Sequence, residues 1–401
     1  MNLITFASPL HDAASVYGCR QSLFDKLKDK DFLEKYGLPS YGDLNIVSSD
    51  APELPTEDVV CFIATGGTEE LFREKLGQLP RDLILLSDGY HNSLAASFEI
   101  ASFLDQHGVT ARMVNIPLEI KSGGEAPVSF NEDESRNRFG NIYNEKVREY
   151  LSRSTVGLIG GASSWLIASE VKLDYIKAEF GTRFVDIDIK ELADEYASVH
   201  GSPADDAEAE RIKAAEDMEK ALRIIVERYG LTALTIKCFD LLSSCRTTSC
   251  LALAKLNDDG IICGCEGDIP SLWTMMVIYA HTGRAPFMAN PSSSDRESLS
   301  VDFAHCTVPT SMTCTFTLPT HFESGIGVGI AGILPLGRYS IIKIGGRKLD
   351  RIFWAKGSVT ANTDIAARCR TQISFRFDNE EDFDRFFANR LGNHVILTAD
   401  I

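Results

Sequence analysis

Apolar residues in this chain gather into short solid runs, each ending in a glycine-rich turn and followed by a stretch of helical spacing. Val59-Val60-Cys61-Phe62-Ile63-Ala64 predicts a buried strand that runs into Thr65-Gly66-Gly67-Thr68 and a helix opening at Glu69-Glu70-Leu71-Phe72. Residues 83–86 predict a second strand, ending at Ser87-Asp88-Gly89; residues 93–106 predict a helix, and 111–116 the next strand. Strands that alternate with helices predict a parallel α/β sheet. Residues 121–141, rich in Gly, Ser, Asn and acidic side chains with little apolar periodicity, predict a loop between domains.

The plan then starts again. Residues 156–159 lead into Gly160-Gly161-Ala162-Ser163-Ser164 and a helix, repeating the strand and double-glycine turn of 59–72. A strand at 184–187, a polar linker at 201–206, an amphipathic helix ending near Gly230, a strand at 233–236, a helix at 250–256, a strand at 261–265 and a helix at 270–280 complete the unit. After Pro309 the texture becomes short β-type runs (313–318, 339–344, 352–355, 371–377 and 395–397) separated by Gly, Asn and charged turns. The expected fold is α/β: two Rossmann-like parallel-sheet domains, 1–150 and 151–309, followed by a mainly-β, barrel-like domain, 310–401.

Composition narrows the partners. With 401 residues, 44% hydrophobic and 24% charged, the chain has the make-up of a globular protein of two or three cores. A formal charge of −17, with no local basic patch, disfavours nucleic acid and anionic membrane surfaces as partners. No apolar run approaches the roughly 18 residues of a spanning helix, and residues 1–14 lack the basic start and apolar stretch of a signal peptide, so a cytoplasmic location is expected. The ten cysteines form no CxxC pair and sit mostly inside apolar runs, which predicts reduced, mainly buried thiols.

Candidate chemistry sits at the ends of apolar strands, where parallel sheets gather their ligands. Cys265-Glu266-Gly267-Asp268 places two carboxylates at such an end; a helix cap accounts for Asp268 before Ile269-Pro270, but not for Glu266. Asn290 ends Phe287-Met288-Ala289-Asn290 just before Pro291, where an amide also forms turns, and His305 ends the alternating run Asp302-Phe303-Ala304-His305. With His394, near the C-terminus, these side chains are the mixed nitrogen and oxygen set that Mn²⁺-like ions prefer. Gly327-Val328-Gly329-Ile330-Ala331-Gly332 matches GxGxxG but lies outside any strand-then-helix unit, which argues against a nucleotide there. The turns at 65–68 and 160–163 offer backbone N–H groups to an anion or sugar hydroxyls, although tight strand-to-helix packing explains their glycines equally well.

In order and spacing, Cys238-Phe239-Asp240-Leu241-Leu242, residues 251–256, Asp259-Gly260, Cys265-Glu266-Gly267-Asp268, Phe287-Met288, Ala304-His305-Cys306 and Gly392-Asn393-His394 resemble the L-fucose isomerase and L-arabinose isomerase superfamily, over about residues 155–401. The resemblance implies aldose–ketose interconversion through a metal-stabilised enediol, with a divalent metal, usually Mn²⁺. Glu266 would be the first acidic ligand and an acid/base, and His305 and His394 would be further ligands. Asn290 departs from the pattern: it stands where fucose-type enzymes carry their second acidic ligand, and Ala289 supplies no arabinose-type alternative. A neutral amide can ligate but is no useful base, so the proton would move through Glu266 and water, or through Asp268 or Glu323 of His321-Phe322-Glu323-Ser324-Gly325. The resemblance further implies a small-molecule sugar as partner, a crevice between the second α/β domain and the β domain, a homo-oligomer (trimer or hexamer), and substrate contacts from His91, Asn92 and Trp165. The alternative is a non-catalytic sugar-binding or regulatory protein retaining the fold, and a third reading is another metal-assisted sugar reaction such as epimerisation.

Overall fold

The chain enters its first sheet directly. Strand β1 (Asn2–Phe6) is followed by three short helices, α1 (Ala13–Gly18), α2 (Gln21–Lys26) and α3 (Lys30–Lys35), and then by β2 (Asn45–Ser48), β3 (Val59–Ile63), α4 (Glu69–Lys75), β4 (Leu83–Ser87), α5 (Ser93–Gln106) and β5 (Ala111–Asn115). The computed structural model describes residues 1–116 and 142–399, apart from 10, 12, 41, 203, 205 and 389; the loop expected at 121–141 lies outside the described residues. All four strand pairings are parallel, in the order β2-β1-β3-β4-β5. The solid apolar run of β3 has a simple cause. Val60 and Phe62 point into a cluster with Leu3, Leu23, Phe24 and Leu33, while Val59, Cys61 and Ile63 point into another with Phe72, Ile100 and Leu104. Helices cover both faces, so both faces must be apolar.

The second unit runs α6 (Glu145–Arg153), β6 (Thr155–Ile159), α7 (Leu173–Phe180), β7 (Arg183–Ile187), α8 (Ile189–Val199), α9 (Ala207–Tyr229), β8 (Ala233–Ile236), α10 (Phe239–Ser244), α11 (Cys250–Asp258), β9 (Ile262–Gly264) and α12 (Ile269–Thr282). Its strands are again parallel, in the order β7-β6-β8-β9. Both sheets therefore reverse their winding next to the first strand, between β1 and β3 and between β6 and β8, and such reversals open a crevice at the carboxyl ends. One expectation fails here: no helix follows Gly160–Ser164 directly, because residues 162–172 form a loop and α7 starts only at Leu173.

The remainder is a closed antiparallel barrel, β10-β11-β16-β15-β14-β17, built from β10 (Phe287–Asp295), β11 (Ser300–His305), β14 (Gly337–Gly345), β15 (Arg351–Asn362), β16 (Thr371–Phe377) and β17 (Val395–Ala399). A separate hairpin, β12 (Thr315–Thr317) with β13 (Ala331–Ile333), and helix α13 (Glu380–Ala388) complete the chain. Strands β10 and β11, assigned by their sequence to the second α/β domain, are barrel strands, so the barrel begins well before residue 310. Two helices join the layers. α5 touches β3, β4 and β5 on one side and β10 on the other, and Phe98 rests on Phe386 and Phe387 of α13, with ring centroids 5.0 and 5.4 Å away. α12 likewise lies between β8 and β9 and the barrel strands β10, β14 and β17. A helix buried on both sides has no solvated face, which is why α12 reads as a nearly continuous apolar segment and why α5 buries Ser93, Ser97, Glu99 and Ser102 along with its apolar residues.

Candidate metal and ligand site

Glu266 sits on the turn leaving β9, and the backbone there is forced. Glu266 and Gly267 both adopt left-handed conformations (φ 63° and 68°), and a Cβ at 267 would come within 2.7 Å of Ser163 N. Gly267 carbonyl accepts from Ser163 N (3.1 Å) while Gly267 N donates to Ile236 carbonyl (2.9 Å), so three loop ends are clasped together. A glutamate in this region costs on the order of 1–3 kcal/mol, the kind of strain that collects at functional sites.

The turn delivers the carboxylate to two histidines from the barrel. Glu266 Oε1 lies 3.6 Å from Nε2 of His305, at the end of β11, and 3.5 Å from Nε2 of His394, just before β17. One ligand atom from each of the three residues falls within 4.8 Å of the others. Each imidazole is oriented from behind: His394 Nδ1 meets Asp268 Oδ2 at 2.9 Å, and His305 Nδ1 meets Thr307 Oγ1 at 2.9 Å. Outer-shell bonds of this kind hold metal-binding histidines in place. Asn290 Oδ1 is buried with no hydrogen-bond partner, and His394 Nε2 makes no hydrogen bond beyond its 3.5 Å ion-pair contact with Glu266 Oε1. An unpaired buried acceptor is costly, so the donor set fits a divalent cation of mixed oxygen and nitrogen preference.

Electrostatics supports that fit. Burial pushes the Glu266 carboxyl up, but the charge of His394 and the bonds to His305 and His394 outweigh it, leaving the group below its ordinary value and ionised. Burial also opposes protonation of His394, yet Glu266 and Asp268 together raise it to about 9. Burial pulls His305 down despite its bond to Glu266. Without a cation, therefore, a proton on His394 together with the ammonium of Lys343 balances the two carboxylates.

Asp268 stands one step away from the cavity. It caps α12 by accepting from Ser271 N (2.9 Å), also takes Ser271 Oγ (2.6 Å), and faces the buried ammonium of Lys343 at 3.5 Å. Lys343 in turn donates to Ser271 Oγ at 2.6 Å. The capping role foreseen for Asp268 is thus present, and its second carboxylate oxygen positions His394; Asp268 does not line the cavity, so its expected place among substrate-touching acid/base groups is corrected to a positioning one.

Glu266 and Asn290 open onto a cavity of ≈ 190 Å³ whose wall also includes Gly66, Glu69, Asn92, Trp165 and Glu323. Its walls come from the carboxyl ends of both parallel sheets, from the barrel and from the 321–325 turn. The N-terminal unit of the same chain is therefore a third wall of the crevice, to which Asn92 was expected to contribute a contact. Trp165 packs edge-on against Phe239, with ring centroids 5.6 Å apart, and lies under Lys237 Nζ at 5.6 Å. Glu323 is no solvated turn residue: it accepts from Asn92 Nδ2 at 2.6 Å. Asn92 is held by a strapped turn in which Arg20 pairs with Asp88 (2.6 Å), Arg368 donates to Gly89 carbonyl (3.0 Å) and His91 N donates to Ala367 carbonyl (2.9 Å). His91, expected beside Asn92 as a substrate contact, instead points into protein: it is buried, packs against His11 and Phe322, and is pulled by burial to about 4.

Glu69 was not foreseen. It follows the Gly66-Gly67 turn at the end of β3, lines the cavity, is 2% exposed, and leaves Oε2 without a partner. Burial pushes it up to about 8, and burial with the charge of Glu266 pushes Glu323 up to about 7. Its position after a strand-end glycine turn is the one sequence signal that could have pointed to it, and Glu70 and every other helix-opening acid shares its type. Among the described residues no helix is long and apolar enough to cross a membrane. No protein-family model matches the sequence, and no curated protein matches it.

Proposed function

We propose that this protein is a metal-dependent sugar isomerase that interconverts an aldose and a ketose. The observation that carries the reading is the meeting of Glu266, His305 and His394, far apart in sequence, within coordination reach beside a small cavity that Glu266 lines. The resemblance of the same segments to the L-fucose and L-arabinose isomerase superfamily supports it. Glu266, His305, His394 and the amide oxygen of Asn290 would hold the cation, for which Mn²⁺ is the proposed identity. When bound, the cation supplies polarisation of the two sugar oxygens between which the proton shifts.

The protein's own groups would do the rest. With an amide at 290, Glu323 is the proposed proton carrier, since a carboxyl near 7 can both give and take a proton at neutral pH. Asn92 orients it, Glu69 would donate a hydrogen bond to a sugar hydroxyl in its protonated form, and Trp165 offers an apolar face to the ring carbons. Such sites sit in closed assemblies in the resembling family, and a trimer or hexamer in the cytoplasm is proposed for this chain too. The second reading, a sugar-binding protein without turnover, is favoured by Asn290 alone. Incubation with candidate aldoses and ketoses in ²H₂O with Mn²⁺ separates the two. An isomerase incorporates deuterium at carbon 1 or 2 of one sugar, and Glu266→Gln abolishes this; a sugar that raises the melting temperature yet exchanges no carbon-bound hydrogen leaves only the binding protein.

A further inference from the structure

A second group of donors lies outside this site. Cys250 opens α11, Cys306 directly follows β11, and His321 lies in the loop that carries Glu323; all three are buried, and one ligand atom from each falls within 4.8 Å of the others. The Sγ atoms of Cys250 and Cys306 are 3.3 Å apart. Cys369 is buried in the same apolar cluster. His321 Nδ1 meets Ser324 Oγ at 2.9 Å, which fixes the ring as outer-shell bonds fix metal-bound histidines. Three segments of the chain thus bring two thiols and an imidazole to one point, with a third thiol in the same buried cluster.

Buried cysteines alone are often only small apolar side chains. Cys238 and Cys265 are such a pair: they also meet at 3.3 Å, and no acid or histidine completes a set of three around them among the described residues. The Cys250 cluster differs by its imidazole. Its sulfur spacing is far longer than the roughly 2.05 Å of a disulfide and nearer to the separation of two thiolates on a tetrahedral ion with bonds of about 2.3 Å. We propose that Cys250, Cys306 and His321, with Cys369 of the same buried cluster as the fourth ligand, form a structural site for a thiophilic d¹⁰ cation of the Zn²⁺ type, distinct from the oxygen and nitrogen site at Glu266. Each thiol that ligates releases its proton to water, and no electron moves. The cation ties α11 and the end of β11 to the loop bearing Glu323, fixing that carboxyl in the cavity.

The test uses the reduced, chelator-treated full-length protein titrated with Co²⁺ and then with Zn²⁺. The expected result is one equivalent of Co²⁺ showing thiolate-to-metal charge-transfer absorption with the intense visible bands of a tetrahedral ion, bleached as Zn²⁺ replaces it. Cys306→Ser and Cys250→Ser lose the charge-transfer band, whereas Glu266→Gln keeps it, because an oxygen and nitrogen site produces none. Absence of the band in the wild-type protein overturns the proposal, as does its survival in both serine variants or the isolation of native protein carrying a Cys250–Cys306 disulfide. The wild-type titration decides the matter even where a variant does not fold.

Discussion

Asp268→Asn isolates what one buried charge does for this molecule. Asparagine caps a helix as well as aspartate does, so the bond from Ser271 N is kept and the start of α12 is unaffected. What disappears is the negative charge between Lys343, 2% exposed at its side chain, and His394, fully buried. One end of the amide cannot satisfy Ser271 Oγ, His394 Nδ1 and the ammonium together. A buried charge stripped of its partner costs about 3–5 kcal/mol, and loss of an outer-shell partner weakens metal binding by about 10–100-fold. Urea unfolding without metal should therefore show a loss of that size, and calorimetric titration with Mn²⁺ a matching fall in affinity. The double variant Asp268→Asn with Lys343→Met separates the two effects: removal of the ammonium restores most of the stability, while Mn²⁺ affinity stays low because His394 is still unsupported. Wild-type stability in the single variant, or full recovery of Mn²⁺ affinity in the double one, would refute this account of the charge.

Three further outcomes follow from the same geometry. Mn²⁺ needs the neutral Nε2 of His394, which holds a proton up to about 9 in the cation-free protein, so affinity should rise about tenfold per pH unit toward that value and then level; calorimetry in buffers of different ionisation enthalpy reads the released proton directly. Glu69, raised to about 8, keeps its proton in the folded chain where the unfolded chain, at an ordinary carboxyl value, has lost it. Stability should accordingly fall as pH rises from about 4.5 to 8, and Glu69→Gln should remove that slope and gain a few kcal/mol, at most about 5, at pH 8 and above; an unchanged slope in urea unfolding counts against Glu69 as its source. Gly267→Ala should destabilise by about 2 kcal/mol or more and abolish Mn²⁺ binding, because its Cβ would meet Ser163 N at 2.7 Å in a left-handed backbone; a soluble variant with native Mn²⁺ affinity would show that the 266–267 turn can relax.

Local pattern carried the first two units well. The runs at 59–63 and 233–236 and the helix at 93–106 are legible because each is buried on two sides, and their polar turns break the apolar series sharply. Periodicity does not say which sheet a strand joins. Phe287–Asp295 and Ser300–His305 read as two more strands of the α/β unit, yet their partners are β16 and β17, roughly 70 to 110 residues away, and only three-dimensional pairing reveals them. Helix α13 was hidden among β-type runs because its Phe383, Phe386 and Phe387 raise strand propensity, although they follow helical spacing toward Phe98 and Phe353. At the site, Glu266 and His305 were legible as polar ends of apolar runs, whereas His394, which precedes its strand, entered only through the resemblance of Gly392-Asn393-His394. Glu69 was not: as the first residue of a helix it reads as an ordinary acidic first-turn residue. The inward aim of Glu323 depends on Asn92, 231 residues earlier, a pairing that no local window contains.

His394 lies immediately before the strand that shuts the barrel, since β17 fills the gap between β10 and β14. A ring of strands has no free edge from which to peel, so this imidazole cannot swing away without breaking two ladders at once. Affinity at the trio and the slowest-exchanging amides of β17 should then report one opening event. Assembly of the ligand set also waits on the longest loop closure in the barrel, which makes the site a late product of folding rather than a nucleus for it.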